Sequence, residues 1–341
     1  MTTSCLDAAE DPREAPPLRW GVLAPGGIGR TFVRAVTEHT RSSVVAVGSR
    51  SQERADAFAA EFDVPRGYGS YAELVADEEV DAVYVASPHS EHAAQALLAL
   101  EAGKPVLVEK AFTRNRAEAQ QVFDAAGSAG LFAMEAMWTR HLPHVLQLHQ
   151  LLAEGAIGEV VAVRADHGQF FAFDPAHRMY DPALAGGALL DLGVYPLAFV
   201  LDLLGAPASV TASGTLTETG VDGQVGVLLD TPGRAQGVAH TTLWSATPNT
   251  AVVCGTEGRI EVAGTFFTPT TLTLVPRQGD RVTFDGRVDG GFQYQVAEAA
   301  RRITAGEQQS PRMSWQHTLD VMAVLDEARR QVGVSFPGEP R

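Results

Sequence analysis

From Leu18 to about residue 140, short apolar runs alternate with helical patterns, and nothing else in the chain restricts its fold as tightly. Residues 19–24, 44–48, 82–86, 106–108 and 131–135 read as strands. Helices are expected over residues 28–38, from a Ser51 cap to about residue 61, and over 90–102 and 116–129. Helices of this length between strands imply right-handed crossovers and a parallel, doubly wound sheet. The rhythm then changes. Residues 160–167, 209–217, 225–230, 235–243, 251–254 and 259–262 form a series of strands, many alternating apolar and polar. Helices over 293–305 and 314–331 close the chain. The expected class is therefore α/β: a Rossmann domain over 18–140, then an α+β domain over 141–341 with a large, mostly antiparallel open sheet. Residues 1–17 are polar and proline-bearing and are expected to be a disordered leader, and the last helix can pack back on the Rossmann domain.

Composition narrows the partners. A formal net charge of −15, with no basic cluster, argues against nucleic acid or an acidic membrane surface. No apolar run looks long enough to span a bilayer. Cys5 and Cys254 are too few and too far apart for a disulfide framework or a metal site, so a reducing cytoplasm is expected and no metal.

The first βα turn, Ala24-Pro25-Gly26-Gly27-Ile28-Gly29, matches a dinucleotide fingerprint at its second and third glycines. Gly26, Gly27, Ile28 and Gly29 are candidates to cradle a pyrophosphate at a helix N-terminus. At the end of the second strand an NAD site places an acid, but this chain has Ser49 and Arg50, with Arg54 one turn on. A hydroxyl and two guanidinium groups suit a 2′-phosphate, so NADP is expected rather than NAD. Ser87, Pro88 and His89 follow the 82–86 strand at the same edge and should lie near the nicotinamide ribose. His92, one turn on, reads equally as a packed histidine.

Of 26 cationic side chains only two are lysines, Lys104 and Lys110. Lys110 follows Glu109 at the C-terminal end of the 106–108 strand, the edge where open parallel sheets bind ligands. Unlike arginine it can release its proton at accessible pH. A second cluster, Ala185-Gly186-Gly187 through Asp191 and Tyr195-Pro196, puts a carboxylate and a phenol at i and i+4 on one helix face. Pro196 either frees the Leu192 carbonyl inside a helix or begins the regular helix itself.

These segments, with Val106 to Ala111, Met134-Glu135-Ala136-Met137-Trp138-Thr139-Arg140 and the closing Leu325 to Gln331, resemble the glucose–fructose oxidoreductase and inositol dehydrogenase (Gfo/Idh/MocA) family. Within it the chain is most similar to the dihydrodiol and NADP-linked pentose (D-xylose) dehydrogenase branch. The resemblance spans residues 18–337. It implies that Lys110 is the motif lysine, Asp191 the motif aspartate, and that Tyr195 stands where many members carry histidine. It also places Trp138 and Arg140 beside the cofactor. Ala24, Ala111 and Ala185 depart from the family pattern without removing a proton-transferring group.

The expected chemistry is hydride transfer between nicotinamide C4 and a secondary alcohol or carbonyl of a sugar, cyclitol or vicinal diol. Lys110 and Tyr195 would handle the proton and Asp191 would orient the substrate or the lysine. His177, Arg178 and Tyr180 are candidate substrate contacts. The open sheet is expected to form a homodimer or higher homo-oligomer. The alternative is a non-catalytic NADP-binding sensor or assembly protein of the same fold.

Overall fold

The computed structural model describes residues 2–4 and 8–339; Met1, Cys5, Leu6 and Asp7 lie outside them. In chain order the first elements are β1 (Thr2–Ser4), β2 (Arg19–Leu23), α1 (Gly27–His39), β3 (Ser43–Gly48), α2 (Gln52–Glu61), β4 (Arg66–Tyr68) and α3 (Tyr71–Val75). β5 (Ala82–Val85), α4 (His89–Glu101), β6 (Val106–Glu109), α5 (Arg116–Ala129) and β7 (Ala133–Ala136) follow. Then come α6 (Pro143–Ala153), β8 (Val160–Gly168), α7 (Val194–Leu204), β9 (Ser209–Leu216), β10 (Asp222–Asp230), β11 (Gln236–Thr242), β12 (Ala251–Gly255) and β13 (Gly258–Val262). β14 (Thr271–Pro276), β15 (Val282–Asp285), α8 (Phe292–Thr304) and α9 (Trp315–Val332) complete the chain.

The chain forms two compact units. One comprises Glu10–Trp138 and Gly290–Thr318, the other Met1–Ala9, Thr139–Asp289 and Leu319–Arg341.

The first unit holds a six-stranded, wholly parallel sheet in the order β4-β3-β2-β5-β6-β7. Every residue of β5, β6 and β7 is buried, as strands covered on both faces require, and this is why they read as short, mainly apolar runs, with Glu109 and Glu135 the exceptions. Phe32 of α1 stacks on Tyr84 of β5 at 3.8 Å, and Trp20 meets Phe32 edge-on at 5.4 Å. Such pairs add about 1 kcal/mol each beyond the area they bury. β4 and α3 were not expected: Arg66-Gly67-Tyr68 has no apolar alternation, and its sheet position comes from pairing with β3.

The second unit is built on a nine-stranded mixed sheet, β1-β15-β14-β13-β12-β8-β11-β10-β9. Its pairings are antiparallel except β1 with β15 and β11 with β8. α7 packs on β8 and β11, and Leu197, Val200 and Leu201 are among its buried residues. Gly237 of β11 lies directly beneath it, where a Cβ would come within 2.3 Å of Val200 Cγ1. Leu228 and Val238 point to the other face of the sheet and are more than a third exposed. Contrary to expectation, the helical run Pro182–Leu204 is long and apolar enough by composition to cross a membrane. It is 89 % buried in the fold, so its hydrophobicity is that of a core helix.

The segment expected to be a disordered leader is partly structured. Thr2–Ser4 pairs with Thr283–Asp285. Pro12 and Ala15 are buried, and the Glu10 carboxylate lies 2.9 Å from Arg301 Nε. Its polar composition conceals these few apolar anchors and the ion pairs of Glu10 with Arg301 and Arg312.

Candidate active site

In the first unit the C-terminal ends of β2, β3, β5 and β6 bring the predicted nucleotide-binding residues to one sheet edge. Ala24 adopts a left-handed conformation (φ 62°) and Gly26 caps α1 by backbone alone, with no side chain accepting from the helix and no acid in its first turn. A Cβ at Gly27 would meet nothing within 4 Å, and one at Gly26 only the Ala24 carbonyl at 3.9 Å. The start of α1 is therefore an open, uncapped set of N–H groups, which fits a pyrophosphate. At Gly29 a Cβ would make ordinary contacts, 3.6 Å from Val22 and 3.9 Å from Phe58, so packing there does not demand glycine.

Ser49 is buried, its N–H bonded to the Tyr68 carbonyl at 3.0 Å and its hydroxyl accepting from Ser51 N–H at 3.3 Å. Arg50 and Arg54 are exposed and form no ion pair among the described residues. Both act electrostatically on half-buried Tyr71, whose phenol burial pushes up while the two guanidiniums pull it down. Sequence reasoning missed Tyr71 because α3 itself was not legible.

Among the described residues buried Ser87 Oγ has no hydrogen-bond partner; Pro88 caps α4 without a side-chain acceptor, and His89 is buried. His92, 1 % exposed, sets one ring nitrogen 2.8 Å from the Ser87 carbonyl and the other 2.9 Å from the Ala111 carbonyl. It ties the exit of β5 to the exit of β6. Burial, first, and the nearby Lys110 charge hold its pKa below the ordinary histidine value, although the two carbonyls pull the other way.

Lys110 stands half-buried at the end of β6, between a cis peptide to Ala111 and buried Glu109. Glu109 accepts from the Tyr84 hydroxyl and, at 3.3 Å, from the Lys110 N–H. Glu135, on neighbouring β7, is 1 % exposed. Trp138 packs against Phe292 at 4.8 Å. Lys104 has a separate role, its ammonium donating to the Asp77 and Val80 carbonyls at 2.9 and 2.7 Å.

Asp191 and Tyr195 belong to the second unit. Leu189–Gly193 is a single π-helical turn running into α7, a local widening often found at functional sites. Pro196 sits in the first turn of α7, where it has no N–H to give Leu192. The Leu192 carbonyl accepts instead from the Val194 N–H and faces His167 Nδ1 at 3.2 Å. His167 in turn meets Tyr195 edge-on at 5.5 Å, and Phe267 stacks on Tyr195 at 4.5 Å. Of the two readings of Pro196 the first holds: the proline lies within a continuous helical run, and the regular helix begins before it, at Val194.

Asp191, 7 % exposed, takes a two-point ion pair from Arg178 at 3.3 and 3.0 Å. The other residues predicted around it have contacts within the unit. His177 caps the Arg178–Tyr180 turn, and Tyr180 is wholly buried with its hydroxyl donating to the Phe171 carbonyl at 2.8 Å. Arg140 lies in this unit, where its guanidinium pairs with buried Asp202 at 2.8 Å. Asp222 was not anticipated. Fully buried on β10, it accepts from the Leu189 N–H at 2.6 Å and so anchors the start of the π turn. A Cβ at Gly187 (φ 115°) would come within 2.3 Å of its Oδ1. Among the described residues no cluster of potential metal ligands occurs.

The fold and this edge are those of a dinucleotide-dependent oxidoreductase, and comparison with known proteins agrees. Residues 18–137 match the oxidoreductase family with an NAD-binding Rossmann fold, and residues 145–261 match the Gfo/Idh/MocA C-terminal domain. The chain is 38 % identical to a trans-1,2-dihydrobenzene-1,2-diol dehydrogenase of Danio rerio, over 94 % of this chain and 98 % of that one. It is 36 % identical to a D-xylose 1-dehydrogenase (NADP(+)) of Hypocrea jecorina, over 94 % and 93 %. Among solved structures, the 3-ketoreductase KijD10 of Actinomadura kijaniata, in complex with NADP and TDP-benzene, superposes with a TM-score of 0.82 at 28 % identity, covering 93 % of this chain and 98 % of that one. The chain belongs to the Gfo/Idh/MocA family of oxidoreductases.

Proposed function

We propose that the protein is an NADP-dependent dehydrogenase or reductase acting on a secondary alcohol or carbonyl of a sugar, cyclitol or vicinal diol. The observation that carries this reading is Lys110: one of two lysines, it stands at the ligand-binding edge of the parallel sheet beside two buried carboxylates. Bound NADP(H) supplies or accepts the hydride. The chain's own residues provide the rest. The open start of α1 holds the pyrophosphate, Ser49, Arg50 and Arg54 take the 2′-phosphate, and unpartnered Ser87 Oγ is available to a ribose hydroxyl. Lys110 and Tyr195 hold and move the proton at the substrate oxygen. Asp191, fixed by Arg178, orients the group that carries it. The substrate class follows the relatives, which are named for a diol and for a pentose.

A dehydrogenase assay with NADP and with NAD, against aldoses, inositols and vicinal diols, tests the reading. Turnover that prefers NADP supports it. No turnover with NADPH still tightly bound would favour the sensor alternative. We also propose self-association through the open sheet face carrying Leu228 and Val238.

A further inference from the structure

A carboxylate inside a parallel sheet is costly, since burying a charge without full compensation costs several kcal/mol. Glu135 is such a group. It lies opposite Val108 in the β6–β7 register and is 1 % exposed. A leucine or methionine would fill the place without that cost, so the carboxylate must be doing something a hydrocarbon cannot.

Its two oxygens have distinct partners. Oε1 accepts from the Phe112 N–H at 3.1 Å, two residues past Lys110. Oε2 accepts from the Thr318 hydroxyl at 3.0 Å, at the start of α9. That end of α9 is itself fixed to β7, through Trp315 Nε1 donating to the Ala133 carbonyl at 2.8 Å. The loop carrying Lys110 is therefore clamped on both sides of the lysine: by Glu109 at the Lys110 N–H, and by Glu135 at the Phe112 N–H. His92 holds the carbonyl between them, that of Ala111.

We propose that Glu135 is a positioning residue for Lys110: its carboxylate fixes the backbone beyond the lysine and contributes the negative field that the ammonium experiences. This rests on the reading of Lys110 given above. The charged groups acting on Glu135 are Glu109, which opposes its ionisation, and Lys110, which favours it; the Thr318 hydroxyl also favours the charged form. Burial outweighs these and pushes the carboxyl up to about 7. Lysine and carboxyl are thus coupled, and a titration of one should report the other.

Because the chain has only two lysines, both can be followed by NMR after labelling lysine Cε with 13C, with Lys110→Met assigning the signals. Neither substrate nor cofactor is needed. In the wild type the Lys110 signal should show an inflection near pH 7 as Glu135 ionises. Glu135→Gln should abolish that inflection and lower the Lys110 pKa by about 0.5 unit or more, since a neighbouring negative charge is lost. Thr318→Val removes a donor to the carboxylate and should move the inflection to higher pH. It serves as the readout if Glu135→Gln does not fold. A role confined to packing would leave the titration unchanged. In an active preparation Glu135→Gln should also reduce kcat about tenfold, on the scale of misplacing a catalytic group, with NADPH affinity held within about twofold.

Superimposable Lys110 titrations in wild type and Glu135→Gln, or in wild type and Thr318→Val should the first not fold, would overturn the proposal. If the titrations shift as expected but Lys110→Met remains active, the linkage holds and the catalytic reading of Lys110 falls instead.

Discussion

At the scale of single residues, what matters is which polar groups the fold leaves available. Most arginines in this chain are engaged by carboxylates, as Arg19 is by Asp81 and Arg30 by Glu61. Among the described residues Arg50, just past β3, and Arg54, on α2, form no such pair. Replacing both with alanine should weaken NADPH binding at least about tenfold, the scale of a lost charge-assisted hydrogen bond, with little effect on NADH. Fluorescence titration with both nucleotides checks this; equal losses for both would remove the 2′-phosphate assignment. Gly187 makes the opposite point, being required by a neighbour rather than by a ligand. Gly187→Ala would drive a methyl into Asp222 at a strained φ, and should cost about 2–4 kcal/mol in a denaturant melt. The positions of Lys110 and Arg50 just past the ends of β6 and β3 were legible because buried apolar runs mark those strands. Those of His92, Glu135 and Asp222 were not. Each depends on a partner 19, 23 or 33 residues away that only the folded chain brings near.

At the scale of elements, strand order explains what could and could not be read. β5, β6 and β7 announced themselves as buried apolar runs, whereas β4, β14 and β15 passed unnoticed, being short or weakly patterned and held by neighbouring strands. The π turn before α7 was legible only as an ambiguity at Pro196, which has no N–H to give Leu192. Its anchor, Asp222, carries a pH dependence. Burial first, against the Leu189 N–H and Arg329, lifts its pKa from 3.8 to about 7. The folded state therefore favours the protonated form. The stability this contributes is fully present below about pH 4 and is lost as pH rises through about 7. Glu135, lifted from 4.5 to about 7, acts in the same sense. Melting temperature should consequently fall between about pH 5 and pH 8, and Asp222→Asn should flatten part of that fall. A wild-type melting temperature that rises steadily over this range would contradict both assignments.

At the scale of the whole molecule, the two-part organisation was legible because the hydrophobic period changes near residue 140, and the family to which the chain belongs shares it. The sheet face bearing Leu228 and Val238 should support self-association. Leu228→Lys with Val238→Lys is expected to lower the mass measured by sedimentation, whereas a wild type that is already monomeric would remove that proposal. The central claim is that the protein transfers hydride with NADP by using Lys110. Its most direct test compares wild type and Lys110→Met for turnover and, in the same preparations, for NADPH binding. The account predicts that turnover falls at least about a hundredfold while NADPH remains bound with similar affinity. A variant within about threefold of wild-type turnover would contradict it.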